Sequence, residues 1–324
     1  MNKKAAEGPF MADFPGSLSE FQQRFPDDAA CAAYLARKRW PDGFRCPRCG
    51  GEKSWRAPSR KVLTFICAKC RKETSATAGT ILHRSHLPLT VWFWAAFLMA
   101  THSNGMSALQ LQSELGLGSY KSAWLLAMKL RIATVAPGRS PLSGLVEVDE
   151  TDIPFRTKDD PPAGGQGRSH DGKLLVAGAA EIKSGKKGRL AIGRARLRVI
   201  ADYRAATLHA FMKENIASGA TAKTDGFASY PGAPHVSHEP HVIGPMAAHI
   251  VLPAIHRVFS NLKTWGLGVY HGLRRKHLQA YLDEFVFRFN RRKSRHAAFA
   301  TLLGIAAGHE PAPYKMLRTV GSTG

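Results

Sequence analysis

Leu145-Val146-Glu147-Val148-Asp149-Glu150-Thr151 is a short apolar-rich stretch that runs into acids. Its side chains alternate in part, the period of a β-strand, and the strand delivers Asp149 to its end. A second delivery of this kind occurs where Thr221-Ala222-Lys223-Thr224 leads into Asp225-Gly226-Phe227. Carboxylates at strand ends, distant in the chain but able to meet in a sheet, are what metal-dependent phosphoryl transfer requires. Hard oxygens hold Mg²⁺ or Mn²⁺ and leave coordination positions for phosphate and water. Taken singly, each acid also reads as a surface or capping residue, and Asp-Gly after a strand is a common turn.

Working outward, residues 173–182 and 189–200 read as strands joined by the turn Lys183-Ser184-Gly185-Lys186-Lys187-Gly188. A helix is predicted over 205–217. Another is predicted over 276–290, with Leu278, Tyr281, Leu282, Phe285 and Phe289 on one face. The order strand, hairpin, helix, strand, helix is that of an α/β RNase H-like domain, a mixed sheet with flanking helices, over residues 144–295. Residues 161–170, rich in Pro and Gly, read as a loop. Arg194, Arg196 and Arg198 share one face of their strand, and residues 182–198 hold seven basic residues and no acidic one. That stripe suits a DNA backbone; the alternative is a solvated sheet face.

Toward the N-terminus, Cys46-Pro47-Arg48-Cys49 and Cys67-Ala68-Lys69-Cys70 are two CxxC knuckles separated by seventeen residues. Four thiolates on two tight turns close a tetrahedral shell around Zn²⁺, with no open position for a substrate. Trp55, Val62 and Phe65 between the knuckles suit the hairpin of a zinc ribbon, over residues 40–75. Cys31 lies outside the pattern and is expected to be buried. Residues 36–73 hold twelve Lys or Arg against three Asp or Glu, which suits phosphate contacts, although zinc ribbons also bind proteins. Residues 1–39 read as a leader and an N-terminal helix broken near Pro26. Residues 85–136 read as helical, with Gly116 and Gly118 in a turn between two apolar runs. This is either a helix-turn-helix or an ordinary helical hairpin. Residues 296–324 read as a tail.

The net charge is +22 over 324 residues, with 44% hydrophobic and 22% charged content. A globular chain with that imbalance calls for a polyanionic partner, DNA before an anionic membrane surface. The start lacks an apolar signal region, and the apolar run 87–101 is too short to span a bilayer. A cytoplasmic protein, nucleoid-associated and not embedded in a membrane, is expected.

These motifs, in this order, resemble the bacterial and archaeal insertion-sequence transposases that join a zinc ribbon to a DDE-type catalytic domain, often called ISXO-two-like. The resemblance covers residues 20–292 and rests on several stretches. They are the two knuckles with Thr77-Ala78-Gly79-Thr80, then 87–93, 146–151, 224–227, Ser260-Asn261-Leu262-Lys263 and 277–292. It implies an RNase H-like fold, a divalent metal, binding to terminal inverted repeats, cleavage and strand transfer into target DNA, and a homo-oligomer in the DNA complex. It also implies that Asp149 and Asp225 are the first two acids. In the DDE pattern the third acid lies on a helix, seven residues before a Lys or Arg. Lys263 fits the basic position, and seven residues back stands His256 rather than Glu. Asn261 is the other polar candidate. Imidazole is a softer, uncharged ligand and shifts preference toward Mn²⁺. Asp152, with Pro154 and Phe155, also departs from the family pattern and is not expected to be a ligand. His256 also reads as a partly buried helix histidine, and Lys263 as a solvated lysine or a phosphate contact. His235, His238, His241 and His249 read as surface residues of a loop. Two rival functions remain: a DNA-binding regulator with a decayed site, and a metal-dependent nuclease without transposition.

Overall fold

The computed structural model describes residues 12–60, 62–155, 172–185, 188–233, 235–241, 248–270 and 273–319. The chain forms two compact units, one of residues 1–133 with 293–312 and one of 134–292 with 313–324. The Pro/Gly-rich stretch 161–170 lies outside the described residues.

In the first unit, α1 (Leu18–Arg24) and α2 (Asp28–Arg39) flank Pro26. Each helix begins on a side-chain cap: Glu20 N donates to Ser17 Oγ at 3.1 Å, and Ala30 N to Asp27 Oδ1 at 2.8 Å. The ribbon is a three-stranded antiparallel sheet, β1 (Ser54–Arg56), β2 (Thr64–Cys67) and β3 (Glu73–Ser75). Three helices follow: α3 (Leu89–Thr101), α4 (Ala108–Glu114) and α5 (Tyr120–Ile132). The apolar run of α3 is core, burying Trp92, Phe93, Ala96, Phe97 and Met99. No described helix is long and apolar enough to cross a membrane.

The second unit is built on a five-stranded sheet in the order β6-β5-β4-β7-β8. Its strands are β4 (Leu145–Pro154), β5 (Lys173–Ser184), β6 (Leu190–Ile200), β7 (Thr221–Thr224) and β8 (Ser237–Pro240). β4, β5 and β6 form an antiparallel meander, and β7 and β8 add parallel to β4. Its helices are α6 (Ala205–Asn215), α7 (Ala248–Val251), α8 (Pro253–Tyr270) and α9 (Leu278–Asn290), the last entered through a short turn at Arg275–His277.

Period-two alternation gives the sheet two cores. On one side Val146, Val148, Ala177 and Ala179 meet Leu208, Phe211 and Met212 of α6. On the other, Ile153, Val176, Ala180, Ala195 and Leu197 meet Ile255, Val258, Phe259 and Leu262 of α8 and Leu282, Phe285 and Phe289 of α9. Gly178 belongs to this second face. A Cβ there would lie 2.5 Å from the Phe259 ring and 2.9 Å from Ile255 Cδ1, so the missing side chain lets α8 lie close to the sheet.

β6 is an edge strand, and side chains seal its outer backbone. Asn290 accepts from Ala195 N at 2.7 Å and donates to Ala195 O at 3.1 Å. Gln279 accepts from Val199 N at 2.9 Å and donates to Leu197 O at 3.3 Å. Arg292 donates to the carbonyls of Ile192 and Gly193. A strand so occupied offers little to a second chain.

Two expectations are corrected. The segment 296–324 is not a tail: α10 (Arg295–Gly308) is a helix of the first unit, packed on α2 and α3, with Phe299 fully buried among Phe21, Phe25, Phe93 and Phe97. A further helix, α11 (Tyr314–Thr319), follows it. The histidine-rich stretch is not simply a surface loop, because Ser237–Pro240 is the fifth strand. His238 Nε2 lies 2.9 Å from Thr224 Oγ1, and both ring nitrogens of His235 are buried with no hydrogen-bond partner among the described residues. Residues 242–247 lie outside the described set, as does the His249 side chain.

Gly178→Ala is expected to overpack the seam between β5 and α8 and to lower unfolding stability by about 1–3 kcal/mol. Urea unfolding followed by circular dichroism checks this, with an unchanged midpoint as the contrary result.

Candidate active site and metal centre

The two knuckles converge as their spacing predicts. The four cysteine Sγ atoms lie within 4.8 Å of one another, with Cys46–Cys70 and Cys49–Cys67 each 3.6 Å apart. A tetrahedron of Zn–S bonds of about 2.3 Å has edges of about 3.8 Å, so the cluster fits structural zinc. Burial opposes ionisation of Cys46, but the backbone N–H groups of Arg48 and Cys49 outweigh it and bring the thiol well below its ordinary range. Trp40, Phe44 and Phe65 pack against the cluster. Cys31 is fully buried elsewhere, and burial pushes its thiol up to about 12.

In the sheet unit, the geometry begins at the N-terminus of α8. Its first residue is Pro253, which has no N–H to satisfy. The residue before it is Leu252, which has no side-chain acceptor to cap the helix. The acceptor comes from β4 instead. Glu147 Oε2 takes the N–H groups of Ala254 at 2.7 Å and Ile255 at 2.9 Å. Glu147 is fully buried, and burial raises its carboxyl above the usual range while these two bonds oppose the rise. The bond ties the start of α8 to the same face of β4 that carries Asp149, two residues on. One residue past Ile255, His256 then meets Asp149, with Nε2 3.0 Å from Oδ2.

That Nε2 is buried and makes no well-directed hydrogen bond. An imidazole nitrogen and a carboxylate oxygen 3.0 Å apart, with no directed hydrogen bond between them, are two donors of the kind a divalent cation takes. Asp225 stands one strand over. The parallel register pairs Glu147 with Lys223, and two steps further along each strand come Asp149 and Asp225. Asp225 Oδ1 accepts from Phe227 N at 3.0 Å, the turn that ends β7. Among the described residues only the cysteines bring three ligand atoms within 4.8 Å of one another, so Asp149, Asp225 and His256 do not all approach that closely.

Lys263 lies two turns beyond His256 on α8, about 20° round the helix, along the same margin of its buried stripe. It lines a cavity of about 490 Å³ with Glu150, Asp152, Lys173 and Tyr203. Asn261 is exposed on the same helix. Asp152 accepts from Tyr203 OH at 3.1 Å. Sequence reasoning missed Glu147 and Glu150. The Glu150 carboxyl is bonded by Tyr230 OH, and burial, with the charges of Asp149 and Asp225 nearby, pushes it up to about 8. The available signal was the run of acids on alternating faces from Glu147 to Asp152, two of which point to each core.

The arginine stripe is corrected. Its three members do share a face of β6, but each is held within the unit. Arg194 pairs with buried Glu181 at 2.6 Å and donates to Ser140 Oγ at 2.7 Å and Pro141 O at 2.8 Å. Arg196 is 5% exposed and donates to Ser140 O at 2.9 Å. Arg198 is ion-paired with Glu214. Arg194 and Arg196 anchor the segment at 140–141, and Arg198, still partly exposed, ties β6 to α6.

Comparison with known proteins follows the same division. Residues 141–290 match the family model described as ISXO2-like transposase domain, and residues 26–73 match that of the transposase zinc-ribbon domain. A protein described as an uncharacterized protein in transposable element ISH50 of Halobacterium salinarum is 28% identical over 220 residues, covering 64% of this chain and 70% of that protein.

Glu147→Ala is expected to destabilise the sheet unit by about 2 kcal/mol, the scale of a charge-assisted hydrogen bond at a helix start, and Glu147→Gln by less. Denaturant unfolding of both variants checks the order. Arg194→Ala leaves buried Glu181 with only two backbone N–H groups and Lys183 at 3.9 Å, at a cost of about 2 kcal/mol. Burial opposes ionisation of Glu181, but Arg194 and two backbone N–H groups hold its carboxyl down to about 2. Its contribution is therefore complete above the unfolded value of 4.5 and is lost as pH falls toward 2. The gap between wild type and Arg194→Ala is expected to close over that interval in acid-unfolding curves.

Proposed function

Since the chain belongs to the zinc-ribbon, ISXO2-like transposase family, we propose that it is an insertion-sequence transposase. It binds the terminal inverted repeats of its element, cuts the DNA and joins the freed end to a target. The observation that carries this reading is Asp149 and Asp225 at equivalent positions on neighbouring parallel strands, with His256 3.0 Å from Asp149. The strand order and directions, three antiparallel strands followed by two parallel ones, support an RNase H-like domain.

Asp149, Asp225 and His256 would hold the divalent cation, Mg²⁺ or Mn²⁺. When bound it supplies Lewis-acid activation of the attacking oxygen and stabilises the leaving one. Lys263 carries a positive charge into the cleft beside β4 and holds the phosphate to be cut. In the first step a water oxygen forms a bond to phosphorus and the 3′-oxygen leaves with a proton. In the second, that 3′-hydroxyl attacks a target phosphodiester and displaces the target strand's own 3′-oxygen. Joining two ends calls for two such sites, hence a homo-oligomer on DNA. The ribbon and the helices α4 and α5 supply DNA contacts, and the reaction belongs in the cytoplasm, at the nucleoid.

The histidine at the third position favours one rival, a regulator that binds the repeats without cutting them. Incubating the protein with a labelled repeat-end duplex and Mg²⁺ or Mn²⁺ separates the two. The transposase reading expects nicking and joined product, more with Mn²⁺ than with Mg²⁺. It also expects a loss of about 1,000-fold or more in Asp149→Ala and Asp225→Ala, the scale of removing a group essential to the chemical step. Tight binding with no nicking, the same in wild type and Asp149→Ala, would establish the regulator. Nicking without joined product would leave a nuclease.

A further inference from the structure

A second, larger depression lies beside the cleft. It has a volume of about 920 Å³ and runs along Leu197–Ile200 of β6 and the following Ala201, between α6 and the start of α9. The sheet's topology explains its position. β4 ends at Pro154 opposite Lys173, the first residue of β5, and Ile200 near the end of β6 pairs with Leu175. The C-terminal ends of β4 and β6 and the start of β5 therefore meet at one end of the sheet. That is the end toward which β4 carries Asp149. Lys173 lines both the cleft and the larger groove, so the two adjoin at that residue.

The groove is cationic. Arg139, Lys173, Arg198, Arg275 and Lys276 line it, against Glu214 and Asp283. Glu214 is already taken by Arg198. Arg139, Arg275 and Lys276 are exposed. Its floor also limits what can lie there. The outward N–H of Val199 and C=O of Leu197 are occupied by Gln279, so an extended peptide cannot add to this edge by backbone pairing. What the walls offer instead is positive charge at the surface, which suits a phosphodiester backbone.

We infer that this groove carries the DNA strand flanking the scissile phosphate, with its phosphates on Arg139, Arg275 and Lys276; the inference rests on the transposase reading. Cleavage then uses two adjoining surfaces: a cleft that holds the bond to be cut, and a track that fixes the direction in which the strand leaves.

The test is DNA affinity against salt. A repeat-end duplex that continues past the cleavage position is titrated with full-length protein by fluorescence anisotropy at 50–300 mM salt, for wild type and for Arg275→Ala with Lys276→Ala. Each lost phosphate contact removes about 0.9 from the slope of log K against log salt, so the double variant is expected to bind with a slope shallower by about 2. The swapped pair, Arg275→Lys with Lys276→Arg, keeps both charges and is expected to keep the wild-type slope. A duplex that stops at the cleavage position is expected to show no difference between wild type and the double variant. The inference is overturned if the double variant matches wild type on the longer duplex. It is overturned also if the double variant loses affinity for a poly-glutamate competitor but not for DNA, which would make the groove a site for acidic protein. If wild type binds no DNA, the transposase reading falls and takes this inference with it; a wild type that binds and cuts while the double variant keeps its slope leaves the reading standing and removes the track alone.

Discussion

One buried carboxylate organises the candidate site. Glu147 reaches from β4 to the first free N–H groups of α8, whose own sequence provides Pro253 and Leu252 but no cap. Burying an acid is costly, and burial does shift this one toward its neutral form. Two short bonds to the positive end of an 18-residue helix offset that cost. In return, the helix is fixed in translation and in rotation against the strand. His256 then faces Asp149, and Lys263, two turns later, comes to the cleft. That bond adds to the apolar packing of Ile255, Val258, Phe259 and Leu262, which seats the same helix on the sheet.

Alternation along β4 separates two tasks. Glu147, Asp149 and Ile153 point to α8, where they cap it, meet His256 and pack against its apolar stripe. Val146, Val148, Glu150 and Asp152 point to the other side, where Tyr230 and Tyr203 bond the two acids. The acids of one face meet α8, at its first N–H groups and at His256, and those of the other are held by phenols. Burial, with the charges of Asp149 and Asp225 adding to it, pushes Glu150 up to about 8.

Much of this was legible in the sequence, for local reasons. The strand 221–224 and the helix starting at 205 follow from alternation and apolar spacing, and the ribbon from the separation of its knuckles. That His256 stands beside Asp149 was expected only through the family resemblance, which places both in one ligand set. What escaped depends on distant partners. Arg194 finds Glu181 thirteen residues away and Ser140 fifty-four away, so a stripe that reads as open surface is in fact a structural clamp. β8 is four residues of mixed polarity, too short to show a period, and exists because β7 offers it a parallel edge. α10 is apolar on nearly every side beyond its first turn, which hides its facing; it belongs to a core assembled from residues nearly 280 positions earlier, such as Phe21. Glu147 resembles any strand acid until the helix it caps is in place.

Gly178 stands directly across from Asp149 in the sheet, and the rings and methyls of α8 occupy the space its side chain would fill. The clearance between helix and strand is thus a length encoded by an omission. It is set by backbone and hydrocarbon, independently of which ligand the helix presents. A scaffold of that kind acts like a fixed caliper: the jaw opening is decided before the tips are chosen. A change of side chain at position 256 would then alter the tip and leave the opening alone.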